Sequence, residues 1–140
     1  MKIRLTHADG RPLYVQMMDP VRSGLVRGTL RPEDPLPSVR DLSSSLRVNP
    51  RTVSQAYAEL ERDGVVQVLH GKGTFVAPGV RPEERERPRL AREVARRALA
   101  DASRNGLALA DLVTALQEVE DGDAGGDGDA NGDGSREDGR

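Results

Sequence analysis

The chain has 140 residues, no cysteine, 21 Lys/Arg against 23 Asp/Glu, and a formal net charge of −2. That length holds one domain plus an accessory segment, and the absence of cysteine excludes a disulfide framework and a thiolate metal site. No stretch has the apolar run of a signal peptide or a membrane span, so the expectation is a cytoplasmic protein of bacterial type with no membrane partner.

Tyr14, Tyr57 and Phe75 are the only aromatic residues, so the core must be built mainly from aliphatic and small side chains, with Tyr57 and Phe75 expected inside it. Charge is unevenly spread. Residues 1–80 carry 11 Lys/Arg and 8 Asp/Glu, residues 81–120 carry eight of each, and residues 121–140 carry two arginines and seven acids. The first 80 residues are therefore only mildly basic, which predicts few phosphate contacts and a shallow salt dependence if they bind nucleic acid.

In chain order, residues 1–10 read as a short strand or arm. Leu13, Met17, Val21 and Leu25 recur every four residues, the mark of an amphipathic helix over about residues 12–30. Pro20 interrupts it, and an interior proline kinks a helix unless Asp19 caps a restart with Pro20 at the first position. Arg31-Pro32-Glu33-Asp34-Pro35 is a turn-rich connector. Ser38 is placed to cap the next helix, with Asp41 as its acidic partner and Val39, Leu42 and Leu46 as its apolar stripe. Arg47-Val48 is a short break. Asn49-Pro50 then signals a new helix, because asparagine accepts orphan N–H groups and proline at the first position wastes no donor. That helix turns Val53, Ala56, Tyr57 and Leu60 inward and stops at Gly64. Two β-branched runs, residues 65–69 and 74–76, flank His70-Gly71-Lys72-Gly73.

Helix, turn, helix and glycine-tipped β-ribbon, in that order, form an arrangement whose use is holding DNA. Arg51, Thr52, Ser54 and Gln55 lie near the start of the second helix of the pair, where a recognition helix presents hydrogen-bonding groups to base edges. Any one of them could be an ordinary solvated residue; the constellation is much rarer than an exposed polar face.

Residues 11–77 resemble the winged-helix DNA-binding domain of GntR-family transcription regulators. The resemblance rests on Pro12-Leu13-Tyr14-Val15-Gln16, Leu36-Pro37-Ser38-Val39-Arg40-Asp41-Leu42, Val48-Asn49-Pro50-Arg51-Thr52-Val53, Ala56-Tyr57-Ala58-Glu59-Leu60-Glu61-Arg62-Asp63-Gly64 and His70-Gly71-Lys72-Gly73-Thr74-Phe75-Val76. The Asn-Pro start and the short segment after the wing resemble the YtrA subfamily. The resemblance implies Arg40 as a phosphate- or guanine-contacting arginine, Asn49, Arg51 and Thr52 as contacts at the recognition-helix start, and His70, Gly71 and Lys72 as a wing tip entering the minor groove. Two departures stand out: many relatives have basic residues where this chain has Pro50 and Ser54, which leaves Arg51 as the partial substitute. The plain alternatives are an Arg40 paired with Asp41 or Glu33, a His70 that touches nothing, and a Lys72 that is a solvated turn residue.

Beyond the wing, residues 78–88 read as a charged, proline-bounded linker. Leu90, Ala91, Val94, Ala95, Ala98 and Ala102 mark a further helix ended by Asn105-Gly106, and Leu109, Leu112, Val113, Leu116 and Val119 mark another. Such a hairpin is too small to bury its own apolar face, so it packs on a second copy or back onto the winged helix. In YtrA-like relatives the resemblance implies dimerisation, which would set two recognition helices on half-sites about one helical turn apart. The tail places Asp127, Asp129, Asn131, Gly132, Asp133 and Asp138 at calcium-loop positions, but nothing flanking them can form the helices that hold such a loop. An acidic low-complexity, disordered segment is the simpler reading.

The expected architecture is α+β. It comprises a winged helix-turn-helix domain (residues 1–78), a linker (79–88), a small α-helical dimerisation hairpin (89–120) and a disordered Asp/Gly-rich tail (121–140). The expected function is a sequence-specific regulator, most simply a homodimeric repressor on an inverted-repeat operator in double-stranded DNA. A winged helix used only as a protein-interaction module is the competing reading. An enzyme is not expected: there is no nucleophile–base pair, metal-ligand cluster or phosphate-binding glycine loop, and neither Lys2 nor Lys72 suits a cofactor pocket. No cofactor or metal is expected, and no effector can be named, because the segment after the wing is short for enclosing a ligand.

Overall fold

The computed structural model describes residues 3–124, which fall into two compact units, one ending at Glu93 and the other beginning at Val94. In the first unit the order is α1 (Leu13–Arg27), β1 (Pro35–Leu36), α2 (Val39–Leu46), α3 (Pro50–Arg62), β2 (Val66–Leu69), β3 (Gly73–Val76) and the start of α4 (Arg87–Arg104). This is the winged helix-turn-helix fold. Leu60, Val21, Val53, Val65 and Val76 are its fully buried centre, joined by Met17, Met18, Leu25, Leu42 and Tyr57. Full burial of such aliphatic side chains contributes roughly 1.5–3 kcal/mol each.

α1 is continuous through Pro20. Asp19 does not cap a restart; its carboxylate pairs with Arg11 at 2.7 Å. Met17, Met18, Val21 and Leu25 are buried on both sides of the proline, and their packing outweighs the lost helical hydrogen bond. The N-terminal segment takes the second of its two expected forms, strand or arm. Residues 3–10 form an arm with one 3-10 turn, His7–Asp9. Gln16 fastens it as a strand partner would: its side chain accepts from the Thr6 N–H (2.9 Å) and donates to the Thr6 and Arg11 carbonyls (2.8 and 3.0 Å).

Ser38 caps α2 by accepting the Asp41 N–H at 3.0 Å. α3 stops at Asp63, with Gly64 left-handed at φ 75°. The strands make one antiparallel sheet in the order β1-β3-β2. β1 begins at Pro35, the last residue of the segment read as a connector. It pairs Pro35 with Phe75 and Leu36 with Thr74, occupying the second edge of β3, where a proline without an N–H is tolerated. Alternation along β3 buries Thr74 and Val76 and leaves Phe75 only half-buried, so Phe75 does not join the core as expected.

Residues 78–88, read as a charged, proline-bounded linker, carry helical structure of their own. Pro82–Glu86 form a π-type turn that packs on α1 and runs directly into α4. The Glu86 side chain is 3 % exposed and lies 3.6 Å from both Arg22 of α1 and Arg89 of α4. Arg22 also reaches Asp63, at the end of α3, at 2.5 Å, and Arg89 reaches it at 3.7 Å. Charges that look solvated in sequence thus form a four-residue network tying the start of α4 to α1 and α3.

The second unit holds the remainder of α4, a turn with Gly106 left-handed, and α5 (Leu109–Ala124). Leu107 N–H returns to the Ala102 carbonyl at 2.9 Å, and Asp111 accepts from Ala108 N–H at 2.8 Å, capping α5. Residues 121–124, expected to belong to the tail, extend α5; the calcium-like spacing from Asp127 to Asp138 lies outside the described residues. No helix among the described residues is long and apolar enough to cross a membrane.

Candidate nucleic-acid interface

Asn49 sets the local geometry of the α3 N-terminus. Its side-chain oxygen accepts the Arg51 N–H at 2.9 Å, and its carbonyl accepts the Thr52 N–H at 2.9 Å. Pro50 occupies the first helical position, where no donor is missed. The cap engages the Asn49 side-chain oxygen, and its NH2 group has no partner among the described residues. Asn49 can then donate to a phosphate or a base acceptor.

Arg51, Ser54 and Gln55 are exposed on α3, and Thr52 is half-buried. Arg40 is exposed on the first turn of α2 and makes no ion pair with Asp41 or Glu33. Tyr57 fixes the two helices to each other: its hydroxyl donates to the Pro37 carbonyl, just before α2, at 2.6 Å. Burial pushes the Tyr57 pKa up to about 12.

The wing tip is a tight turn closed by Lys72 N–H to the Leu69 carbonyl at 3.0 Å. Gly71 is left-handed at φ 74°, as the third position of a type II turn demands, and Gly73 follows at φ 125°. His70, Gly71 and Lys72 are all exposed, and neither His70 nor Lys72 has an ion-pair partner among the described residues. No hydrogen bond joins the tip to the start of α3. Wing and helix are linked instead at the far end of α3, where Glu61 accepts the Val68 N–H of β2 at 2.8 Å.

The nine expected contact residues therefore occupy three exposed places: the first turn of α2, the start of α3 and the wing tip. Arg47, read from the sequence as part of the break between the two helices, is exposed and closes α2 with a left-handed backbone, φ 54°. Among the described residues no cluster of three His, Asp or Glu side chains could hold a metal ion.

Residues 13–76 match the family model described as bacterial regulatory proteins, gntR family. A YtrA from Sulfolobus acidocaldarius, described as a GntR-family transcription factor, is 33% identical in sequence, with a TM-score of 0.52 over 70% of this chain and 97% of that one. The chain belongs to the GntR family. A GntR family transcriptional regulator from Listeria monocytogenes superposes with a TM-score of 0.62 over 79% of this chain and 96% of its own, at 28% identity. Among curated relatives, the HTH-type transcriptional regulator YhcF of Bacillus subtilis is 40% identical over 84 residues, 60% of this chain and 69% of that protein. The HTH-type transcriptional repressor YtrA of the same organism is 39% identical over 75 residues, 54% of this chain and 58% of that protein.

Proposed function

We propose that this protein is a homodimeric, sequence-specific DNA-binding regulator, most simply a cytoplasmic repressor that occupies an inverted-repeat operator. The observation that carries the reading is the state of its cations. Arg40, Arg51 and Lys72 stand exposed, without acidic partners among the described residues, on the three elements that a winged helix presents to a duplex. Unpaired exposed cations are what displace counterions from phosphates.

In this reading α3 enters the major groove. Arg51 supplies the base-reading fork, Ser54 and Gln55 add adaptable hydrogen bonds, and Thr52 sits at the groove edge. Asn49, its oxygen engaged in the cap, and Arg40 donate to backbone phosphates. His70, Gly71 and Lys72 reach the minor groove, with Gly71 keeping the turn narrow. Val113, Leu116 and Val119 of α5, exposed to 44, 56 and 62%, meet the same helix of a second copy and set two recognition helices on one duplex. No cofactor takes part, and no effector is assigned.

Selection of the purified full-length chain on a random duplex pool tests this. Enrichment of an inverted repeat with fixed half-site spacing is the expected outcome. No enrichment, with binding that only fades as salt rises, would overturn sequence reading and favour a protein-interaction module. Arg51→Ala should then cost about 1–3 kcal/mol at one base position of the selected site and little at a scrambled duplex.

A further inference from the structure

Four helix ends in the described residues close on a left-handed residue, and they are not alike. α1, α3 and α4 do so with Gly28, Gly64 and Gly106, at φ 80°, 75° and 73°. α2 does so with Arg47, at φ 54° and ψ 46°. Its geometry is that of a glycine-type stop: the Arg47 N–H and the Val48 N–H both return to the Ser43 carbonyl, the second at 3.1 Å. A Cβ is disfavoured in this conformation, and glycine relieves it without cost to the hydrogen bonds. The chain uses glycine at three such stops and keeps an arginine at the one inside the helix-turn-helix.

The arginine is not retained for packing or for an ion pair. It is exposed, and no acid, carbonyl or other acceptor among the described residues takes its guanidinium. It stands two residues before the Asn49 cap, between the exposed Arg40 on α2 and the exposed Arg51 on α3. We propose that Arg47 is a DNA-backbone contact in the turn of the helix-turn-helix, its guanidinium taking a phosphate beside the groove that α3 enters, and that its strained backbone is kept for this contact. The inference rests on the DNA-binding reading above and adds a residue to it. Arg47 also stands in for part of the positive charge that α3 lacks at Pro50 and Ser54. A phosphate contact carries no sequence information, so Arg47 contributes affinity and register, not base choice.

The test compares wild type, Arg47→Gly, Arg47→Lys and Arg47→Gln by thermal melting and by affinity for the selected duplex and a scrambled one across a salt series. Arg47→Gly should melt higher by a few degrees because the left-handed strain is gone. It should nevertheless bind about tenfold more weakly per half-site near 0.1 M salt, with the log–log salt slope shallower by about one per half-site. The ratio of selected to scrambled affinity should stay the same. Arg47→Lys, which keeps charge and strain together, should retain most of the binding; Arg47→Gln, which keeps strain alone, should bind like the glycine variant. If wild type binds and Arg47→Gly binds equally well with an unchanged slope, the contact does not exist. A wild type that binds no duplex at all would remove the DNA-binding reading itself, a different failure from the first.

Discussion

The two units of this chain have similar apolar patterning in sequence and opposite fates in space. In the first, α1, α2, α3 and the sheet close around Leu60, Val53, Val21, Val65 and Val76, none more than 1% exposed. In the second, Ala102 is the only buried side chain among the described residues, while Val94, Leu99, Leu107, Leu109, Val113, Leu116 and Val119 are exposed. Periodicity marks a face that needs covering, and it does not say whether the cover comes from the same chain. Three converging helices and a sheet can enclose a core, whereas two helices by themselves are too few to cover their apolar stripes.

That contrast is open to direct attack. The largest effect should come from Leu60→Ala, which leaves a cavity at the centre of the first unit and should cost about 2–5 kcal/mol in denaturant unfolding. Glu86→Ala comes next. It strips the buried carboxylate from Arg22 and Arg89, which keep Asp63 as a partner, so the cost should be about 1–3 kcal/mol.

Tyr57→Phe should cost about 1–1.5 kcal/mol by leaving the Pro37 carbonyl without its donor. It also has a pH signature. Tyr57 ionises near 10 in the unfolded chain and near 12 when folded, so its share of stability is whole below pH 10 and is lost as the pH climbs to 12. Wild type should lose stability across that window more steeply than Tyr57→Phe, which has no group to titrate there. Equal slopes would mean the hydroxyl is not buried as described.

The smallest effect on folding should come from Leu116→Asp. An exposed position should change monomer unfolding by no more than about 0.5 kcal/mol. Sedimentation equilibrium should nevertheless show self-association falling steeply, and binding to a full inverted repeat should drop toward half-site affinity. A variant that stays dimeric would place the dimer contact elsewhere. Asn49→Asp completes the series at the interface: the cap oxygen survives, so the melting temperature should hold, while the lost donor and added charge should weaken duplex binding at every sequence.

Much of this was written locally. Ser38, Asn49-Pro50 and Gly64 set the ends of α2 and α3 because caps and stops depend on a few adjacent residues, and the wing turn follows from His70-Gly71-Lys72-Gly73 for the same reason. The exposed face of α3 was legible too, since helical spacing alone separates Arg51, Ser54 and Gln55 from Val53, Ala56 and Leu60. Tertiary structure decided what depends on partners distant in sequence. Packing held α1 whole across Pro20, β3 recruited Pro35 and Leu36 because its second edge had unpaired backbone groups, and strand alternation put Thr74 inside and Phe75 at the margin. Glu86 became a buried charge only because Arg22, 64 residues earlier in the chain, comes to meet it. The left-handed backbone of Arg47 was hidden for a related reason: the helix stop is local, but nothing in the residues 46–48 says that the chain accepts an arginine there without glycine's freedom.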